Sequence, residues 1–217
     1  LTDHADAAPL IVVLAGTNGA GKSSIGGAAL KRRGGELFNP DEAARRILER
    51  NPGLSQRDAN IAAWSQGKRL LEQAIMTRKN YYFETTLGGK TITALLEKAL
   101  DAGFEVRIWY AGLDGVDLHI ARVAARVARG GHPIPERDIR RRYDSSRRNL
   151  IRLLPRLAEL RVYDNSREAD PHTGATPSPQ LVLHCERGRI LGPNDLSATP
   201  SWARPIVAAA MKHSQQP

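Results

Sequence analysis

The stretch Leu10-Ile11-Val12-Val13-Leu14-Ala15-Gly16-Thr17-Asn18-Gly19-Ala20-Gly21-Lys22-Ser23 decides the fold. Its six leading apolar residues read as a buried strand. Residues 16–23 then fit G-x-x-x-x-G-K-S, the Walker A phosphate-loop pattern, and a helix-compatible stretch, Lys22–Arg32, follows. Gly16, Gly19 and Gly21 allow turns that aim backbone N–H groups inward. The first helical turn adds unpaired N–H groups and the positive end of its dipole. Lys22 has the reach for β- and γ-phosphates, and the Ser23 hydroxyl suits Mg²⁺. The expected nucleotide set is therefore Gly16, Thr17, Asn18, Gly19, Ala20, Gly21, Lys22, Ser23 and Ser24, with ATP and Mg²⁺ as ligands and Ser23 as the metal ligand.

Outward from this loop the chain alternates strand and helix. Strands are expected at Glu36–Phe38, Tyr81–Glu84, Phe104–Tyr110 and Arg161–Tyr163. Helices are expected at Glu42–Arg50, Ser55–Arg78, Thr91–Ala102 and Val116–Arg129, and one or two more, broken near Pro155, over Pro135–Leu160. Ser55 is a natural N-cap with Asp58 three residues on, and Gly103 closes its helix. This alternation predicts an α/β fold, a P-loop NTPase sandwich of three layers with a mainly parallel sheet and helices on both faces. Residues 1–9 read as a flexible start, and 10–166 as the core, with a lid around 126–142. Residues 167–217 read as an extension of the same domain. Within it, Asp170–Pro179 is a loop, Gln180–Cys185 and Arg187–Leu191 a hairpin, Pro200–Met211 a helix, and Lys212–Pro217 frayed.

At 217 residues the chain can bury a core without staples. Cys185 is the single cysteine, so no internal disulfide forms, and a cytoplasmic setting is expected. No signal peptide or membrane span is evident, and no metal-ligand spacing of His or Cys stands out. The formal net charge is +9, which raises a nucleic-acid reading. The excess is local, however: from Arg122 to Arg152 there are ten Arg against three acids, Glu136, Asp138 and Asp144. Arginine grips phosphate oxygens with a planar fork, and few aromatics accompany it as base-stacking platforms. Nucleic acid is thus the weaker partner.

In a parallel sheet, ligands bind at the carboxyl ends of the strands. Asp41, after the second strand, is placed to act as a general base toward an attacking hydroxyl; alternatively Asn39 or Asp41 caps the next helix. Glu84, Thr85 and Thr86 end the third strand in a polar loop suited to substrate, and Asn39 joins them. Arg122, Arg126 and Arg129 lie at i, i+4, i+7 on one helix face, leading into Gly130-Gly131-His132-Pro133-Ile134-Pro135. At least one of them is expected to meet charge developing on a transferred phosphoryl group, Arg126 and Arg129 before Arg122. Arg140, Arg141 and Arg142 are three consecutive side chains that a helix cannot aim at one point. His132 is expected to make a structural hydrogen bond.

The Walker A loop, Asn39-Pro40-Asp41, Phe83-Glu84-Thr85-Thr86-Leu87, Arg122 to Arg129, Gly130-Gly131-His132-Pro133-Ile134-Pro135, Arg141-Arg142-Tyr143 and Asn149-Leu150 resemble the zeta-toxin group of P-loop kinases, in its stand-alone chromosomal branch. The resemblance spans roughly residues 10 to 166. It implies Mg-ATP as donor and, from characterised members, the 3′-hydroxyl of UDP-N-acetylglucosamine as acceptor. It also implies Asp41 as base, Glu84 as the sugar ligand and phosphate contacts among Arg122, Arg126 and Arg129. No antitoxin-binding surface is evident in the sequence. The leading expectation is a kinase acting on a small-molecule hydroxyl. Two alternatives stand beside it: a nucleotide-gated interaction protein, and a nucleic-acid-end kinase.

Overall fold

The computed structural model describes residues 7–22, 25–26, 36–167 and 178–215, and one seven-stranded sheet organises them. Its strands are β1 (Leu10–Ala15), β2 (Leu37–Phe38), β3 (Tyr81–Thr85), β4 (Glu105–Gly112), β5 (Glu159–Asp164), β6 (Gln180–Glu186) and β7 (Arg189–Gly192). They lie side by side as β2-β3-β1-β4-β5-β6-β7. The first five are parallel, and β6 and β7 add antiparallel strands beyond β5. β1 is central, where an all-apolar strand belongs because both its faces are covered. Ile11, Val13 and Ala15 join the main core; Val12 and Leu14 pack with Trp109 on the other face.

The described helices are α1 (Pro40–Arg50), α2 (Gln56–Thr77), α3 (Lys90–Asp101), α4 (Val116–Ala128), α5 (Glu136–Leu153) and α6 (Arg204–Ser214). Leu71 of α2, Leu96 of α3, Leu150 of α5 and Ile206 of α6 all enter the main core. The helix that starts at Lys22 serves the opposite face: a Cβ on helical Gly26 would stand 2.3 Å from the Leu14 side chain. The fold is the expected α/β arrangement, with a mostly parallel sheet between helical layers. Most of the expected Lys22–Arg32 helix, with Ser23 and Ser24, lies outside the described residues. No helix among the described residues is long and apolar enough to cross a membrane.

Several boundaries differ from expectation, each for a local reason. α1 starts at Pro40 rather than Glu42, because the Asn39 side chain accepts from the N–H groups of Asp41 (2.8 Å) and Glu42 (3.3 Å). Proline at the first helical position needs no such partner. The helix expected to run toward Leu160 stops at Leu153, with one 3₁₀ turn, Leu154–Arg156, around Pro155. β5 consequently begins at Glu159, whose buried carboxylate accepts from the Trp109 indole at 3.3 Å. The hairpin turns on Arg187 and Gly188, both at positive φ (45° and 80°), as a two-residue turn matched to strand twist requires. The last helix begins at Arg204, since Pro200–Ala203 form a turn that lays Trp202 on Gly112; a Cβ there would lie 2.3 Å from the indole.

Gly16 is the tightest joint between loop and sheet. Its φ is +141°, and a Cβ would stand 2.3 Å from the Ala111 carbonyl oxygen on β4. Gly16→Ala should therefore cost about 2 kcal/mol or more, read as a lower urea midpoint and melting temperature. An unchanged midpoint would mean that the loop does not dock on β4 this closely.

Candidate active site

The parallel strands bring their carboxyl ends to one edge of the sheet. There the Walker A loop is held from outside by neighbouring elements. His119 of α4 lies with Nδ1 2.8 Å from the Asn18 carbonyl oxygen, and Asn165, just after β5, donates its amide to the Ala20 carbonyl at 2.9 Å. A trans peptide points its N–H opposite its C=O, so the N–H groups of Gly19 and Gly21 turn away from these two anchors. Arg142 of α5 donates to the Asn18 side-chain oxygen at 2.8 Å, and the Thr17 hydroxyl donates to the Arg142 carbonyl at 3.4 Å. Lys22 donates to the Gly16 carbonyl at 3.2 Å.

His119 is 1% exposed. Burial lowers its pKa from the ordinary 6.5 to about 4, which keeps the ring neutral at pH 7. Because a carbonyl only accepts, Nδ1 carries the ring proton.

A cleft of about 650 Å³ opens beside the loop, lined by Asn18, Lys22, Asn39, Asp41, Glu84, Thr85, Thr86 and Arg142 among others. The structure thus gathers most of the residues singled out from sequence. Asp41 stands in the first turn of α1 with its side chain 53% exposed. Arg126 of α4 approaches its carboxylate at 3.5 Å and His132 at 3.7 Å, and Arg126 also donates to the His132 carbonyl at 3.1 Å. Glu84 is buried at the end of β3. Burial pushes the Lys22 pKa down; the Glu84 and Asp41 carboxylates push it back up, and Arg126 and Arg142 lower it. The ammonium therefore sits in the field of two acids and two guanidiniums.

The loop after β3 is built by α5. Ser146 donates to the Thr86 carbonyl (2.6 Å), Asn149 to Leu87 (2.7 Å) and Ser145 to Gly88 (2.9 Å). Leu87, fully buried, takes a positive φ of 54°. The Thr85 and Thr86 hydroxyl oxygens accept from the Leu87 and Gly88 N–H groups, which leaves each O–H free to donate.

The arginines divide sharply. Arg126 reaches Asp41. Arg122 turns away from the cleft and donates to the carbonyls of Ser166 (3.2 Å) and Arg167 (3.1 Å). Arg129 is exposed at the C-cap of α4. Arg140 pairs with Glu136 and Asp117 on the surface. Arg142, passed over in the sequence as one of three consecutive arginines, is the one that touches the Walker A loop. The signal that finds it is the run Arg142, Ser146, Asn149, spaced i, i+4, i+7 on one helix face. Trp64 and Asn60 of α2, Lys90 and Arg148 also line the cleft and were not singled out, and Arg141, named in the sequence beside Arg142, lines it too.

A sequence model of the zeta toxin family matches residues 1–174. The chain belongs to the zeta toxin family. A protein of Haemophilus influenzae, described only as uncharacterized, is 33% identical over 129 residues, covering 59% of this chain and 88% of that protein. Among solved structures, the AvrRxo1-ORF1:-ORF2 complex with ATP superimposes with a TM-score of 0.63 at 15% identity. That match covers 93% of this chain, and the chain spans 63% of the length of its counterpart. The PezAT chromosomal toxin–antitoxin system of Streptococcus pneumoniae superimposes with a TM-score of 0.53 at 14% identity, covering 96% of this chain and 88% of the other. These likenesses extend the fold of this zeta toxin family member over the sheet extension as well as the core.

The His119 anchor has a pH signature. Between pH 6.5 and 4 the unfolded chain binds a proton on His119 that the folded chain does not, so stability falls as pH falls through this window. The contribution lost at pH 4 is about 3 kcal/mol. Denaturant unfolding of wild type and His119→Gln at pH 7, 5.5 and 4.5 checks it: the wild type should lose this increment and the variant should not. Parallel pH profiles would show that His119 is not buried neutral.

Proposed function

We propose that the chain is an ATP-dependent kinase that moves the γ-phosphoryl group to a hydroxyl of a small molecule, with UDP-N-acetylglucosamine as the first acceptor to test. The observation that carries this reading is the meeting of Lys22, Asp41 and Glu84 in one cleft beside the Walker A loop. Membership of the zeta toxin family supports it, as does the likeness of fold to a structure containing ATP.

In this reading the Gly19 and Gly21 N–H groups and Lys22 hold the phosphates of ATP. Asp41 accepts the proton of the acceptor hydroxyl. The hydroxyl oxygen forms the new bond to the γ-phosphorus as the bond from that phosphorus to the β,γ-bridging oxygen breaks, and ADP leaves with that oxygen. Glu84, Thr85, Thr86 and Asn39 orient the acceptor. Arg126 exchanges its weak exposed pairing with Asp41 for the γ-phosphate, and Arg142 braces the loop through Asn18. The hard oxygen donors Asp41 and Glu84 suit Mg²⁺, an ion that takes few protein ligands and fills the rest with phosphate and water. Ser23 and one of these carboxylates would hold it, and when bound it neutralises phosphate charge. The Arg122 side chain is directed to the Ser166 and Arg167 carbonyls, and of the three only Arg126 approaches Asp41, so Arg126 is the reading's choice among them.

The test is ADP release from Mg-ATP with and without UDP-N-acetylglucosamine, followed by mass analysis of the sugar nucleotide. The expected result is the gain of one phosphate. Asp41→Asn should keep ATP affinity and lose transfer by about 100-fold or more; Lys22→Ala should weaken both. Full transfer by Asp41→Asn would remove it as base. Tight ATP binding with no phosphorylated product would move the acceptor to another metabolite.

A further inference from the structure

The two oxygens of the Asp41 carboxylate face different partners. Oδ2 lies 3.5 Å from Arg126 Nη1, and Oδ1 lies 3.7 Å from His132 Nε2. The carboxylate is largely exposed, whereas the His132 side chain is only 16% exposed. A carboxylate oxygen only accepts, so the imidazole meets it with Nε2–H as donor.

His132 is placed by Arg126. The Gly131 N–H donates to the Arg126 carbonyl at 3.0 Å, and Arg126 Nη2 donates to the His132 carbonyl at 3.1 Å. A Cβ on Gly131 would stand 2.7 Å from Arg126 Cγ, so only glycine lets the chain lie this close. The connection between α4 and α5 is thereby wrapped on one side chain and carries the imidazole to Asp41. The structural hydrogen bond expected of His132 is made by its backbone carbonyl, which leaves the ring for the carboxylate.

Arg126 itself is incompletely satisfied. Its Nε–H is buried without an acceptor among the described residues, a costly state for a donor. Its approach to an exposed carboxylate is a weak pairing. Nη1 can therefore exchange Asp41 for a phosphate oxygen while Nη2 keeps the His132 carbonyl. The exchange frees Oδ2 of Asp41 and leaves Oδ1 facing the ring.

We infer that His132 is a positioning residue for the base. Its Nε2–H holds Oδ1 of Asp41, and Oδ2, once Arg126 has turned to the γ-phosphate, is the atom that takes the acceptor's proton. The acceptor oxygen bonds to the γ-phosphorus as the bond to the β,γ-bridging oxygen breaks. The proton passes from Oδ2 to water once the products have left. A carboxylate held at one oxygen aims the other in a single direction, and fixed geometry at the reacting atom raises the rate. At 3.7 Å the contact is longer than a formed hydrogen bond; catalytic hydrogen bonds commonly tighten only when substrates are bound. The assignment rests on the kinase reading, in which Asp41 is the base, and adds the residue that aims it.

Two experiments on the full chain test it: steady-state kinetics with Mg-ATP and UDP-N-acetylglucosamine, and a crystal structure with magnesium and β,γ-methylene-ATP. His132→Ala should lower kcat about ten-fold and leave both KM values nearly unchanged. His132→Gln, whose amide nitrogen can stand where Nε2 stands, should recover most of the loss. In the Asp41→Asn background, His132→Ala should lower the residual rate no further, because the ring acts only through that carboxylate. A residue that merely supported the fold would add its effect in both backgrounds. In the nucleotide complex, Nε2 should lie within about 3.2 Å of Oδ1, with Arg126 Nη1 on the γ-phosphate.

An unchanged kcat in His132→Ala, or an equal fall in the Asp41→Asn background, overturns the assignment and leaves the kinase reading standing. So does an imidazole turned away from Asp41 in the nucleotide complex. Closure of Nε2 on Oδ1 in a chain that forms no phosphorylated product would keep the pairing and sink transfer to this acceptor.

Discussion

The peptide planes of the Walker A loop are fixed from behind, and the site depends on that. A glycine-rich loop is permissive by itself, since Gly16, Gly19 and Gly21 occupy positive φ but would occupy other regions as readily. Two donors from distant parts of the chain remove the freedom: His119 at the Asn18 carbonyl and Asn165 at the Ala20 carbonyl. His119 can serve because it is buried and neutral, with one ring nitrogen committed as donor. A charged ring in the same place would bring another cation to a site that already holds Lys22, Arg126 and Arg142. The backbone–side-chain contacts thus determine the electrostatics as well as the shape.

The same economy governs the acids. Asn39 caps α1, and Pro40 begins it, so Asp41 is lifted into the cleft at the positive end of a helix with its carboxylate still exposed. The two sequence-level readings of Asn39-Pro40-Asp41, cap or chemistry, turn out to be compatible: Asn39 caps, and Asp41 is left available. Glu84 is placed differently. It lies near the end of a buried strand, paired in register with Leu14, and its charge opposes the lowering of the Lys22 pKa by burial.

What could be read from sequence follows the range of the interactions involved. The first strand is local and was legible to the residue, and the strand–helix alternation was legible too. The capping residue Ser55 was legible too, accepting from the Asp58 N–H at 3.1 Å. Arg122 shows the limit. Its spacing grouped it with Arg126, but its actual partners, the Ser166 and Arg167 carbonyls, are more than forty residues away. Arg142 shows the converse, since consecutive arginines looked undirected until α5 was seen to present Arg142, Ser146 and Asn149 together to the Walker A and β3 loops.

The C-terminal stretch that carries β6, β7 and α6 reads from sequence as an extension of the same domain, and contacts lead from the turn before α6 toward the Walker A loop. Trp202 lies over Gly112 at the end of β4 and donates its indole N–H to Asp164 at 3.0 Å. Asp164 also accepts from Ser166 Oγ, which in turn accepts from the Asp114 N–H. Ser201 donates to the Asp114 carboxylate at 2.9 Å, and Arg147 of α5 donates to the Trp202 carbonyl at 3.2 Å. Between Asp164 and Ser166 stands Asn165, the donor that holds Ala20. The segment around Trp202 therefore steadies the turn from which one of the two loop anchors projects. A bulkier residue at Gly112 could not coexist with the indole, so the smallest side chain on β4 and one of the largest beyond it form a single joint. The extension belongs to the scaffold of the phosphate loop in the same sense as His119 does, although none of its described residues lines the cleft itself.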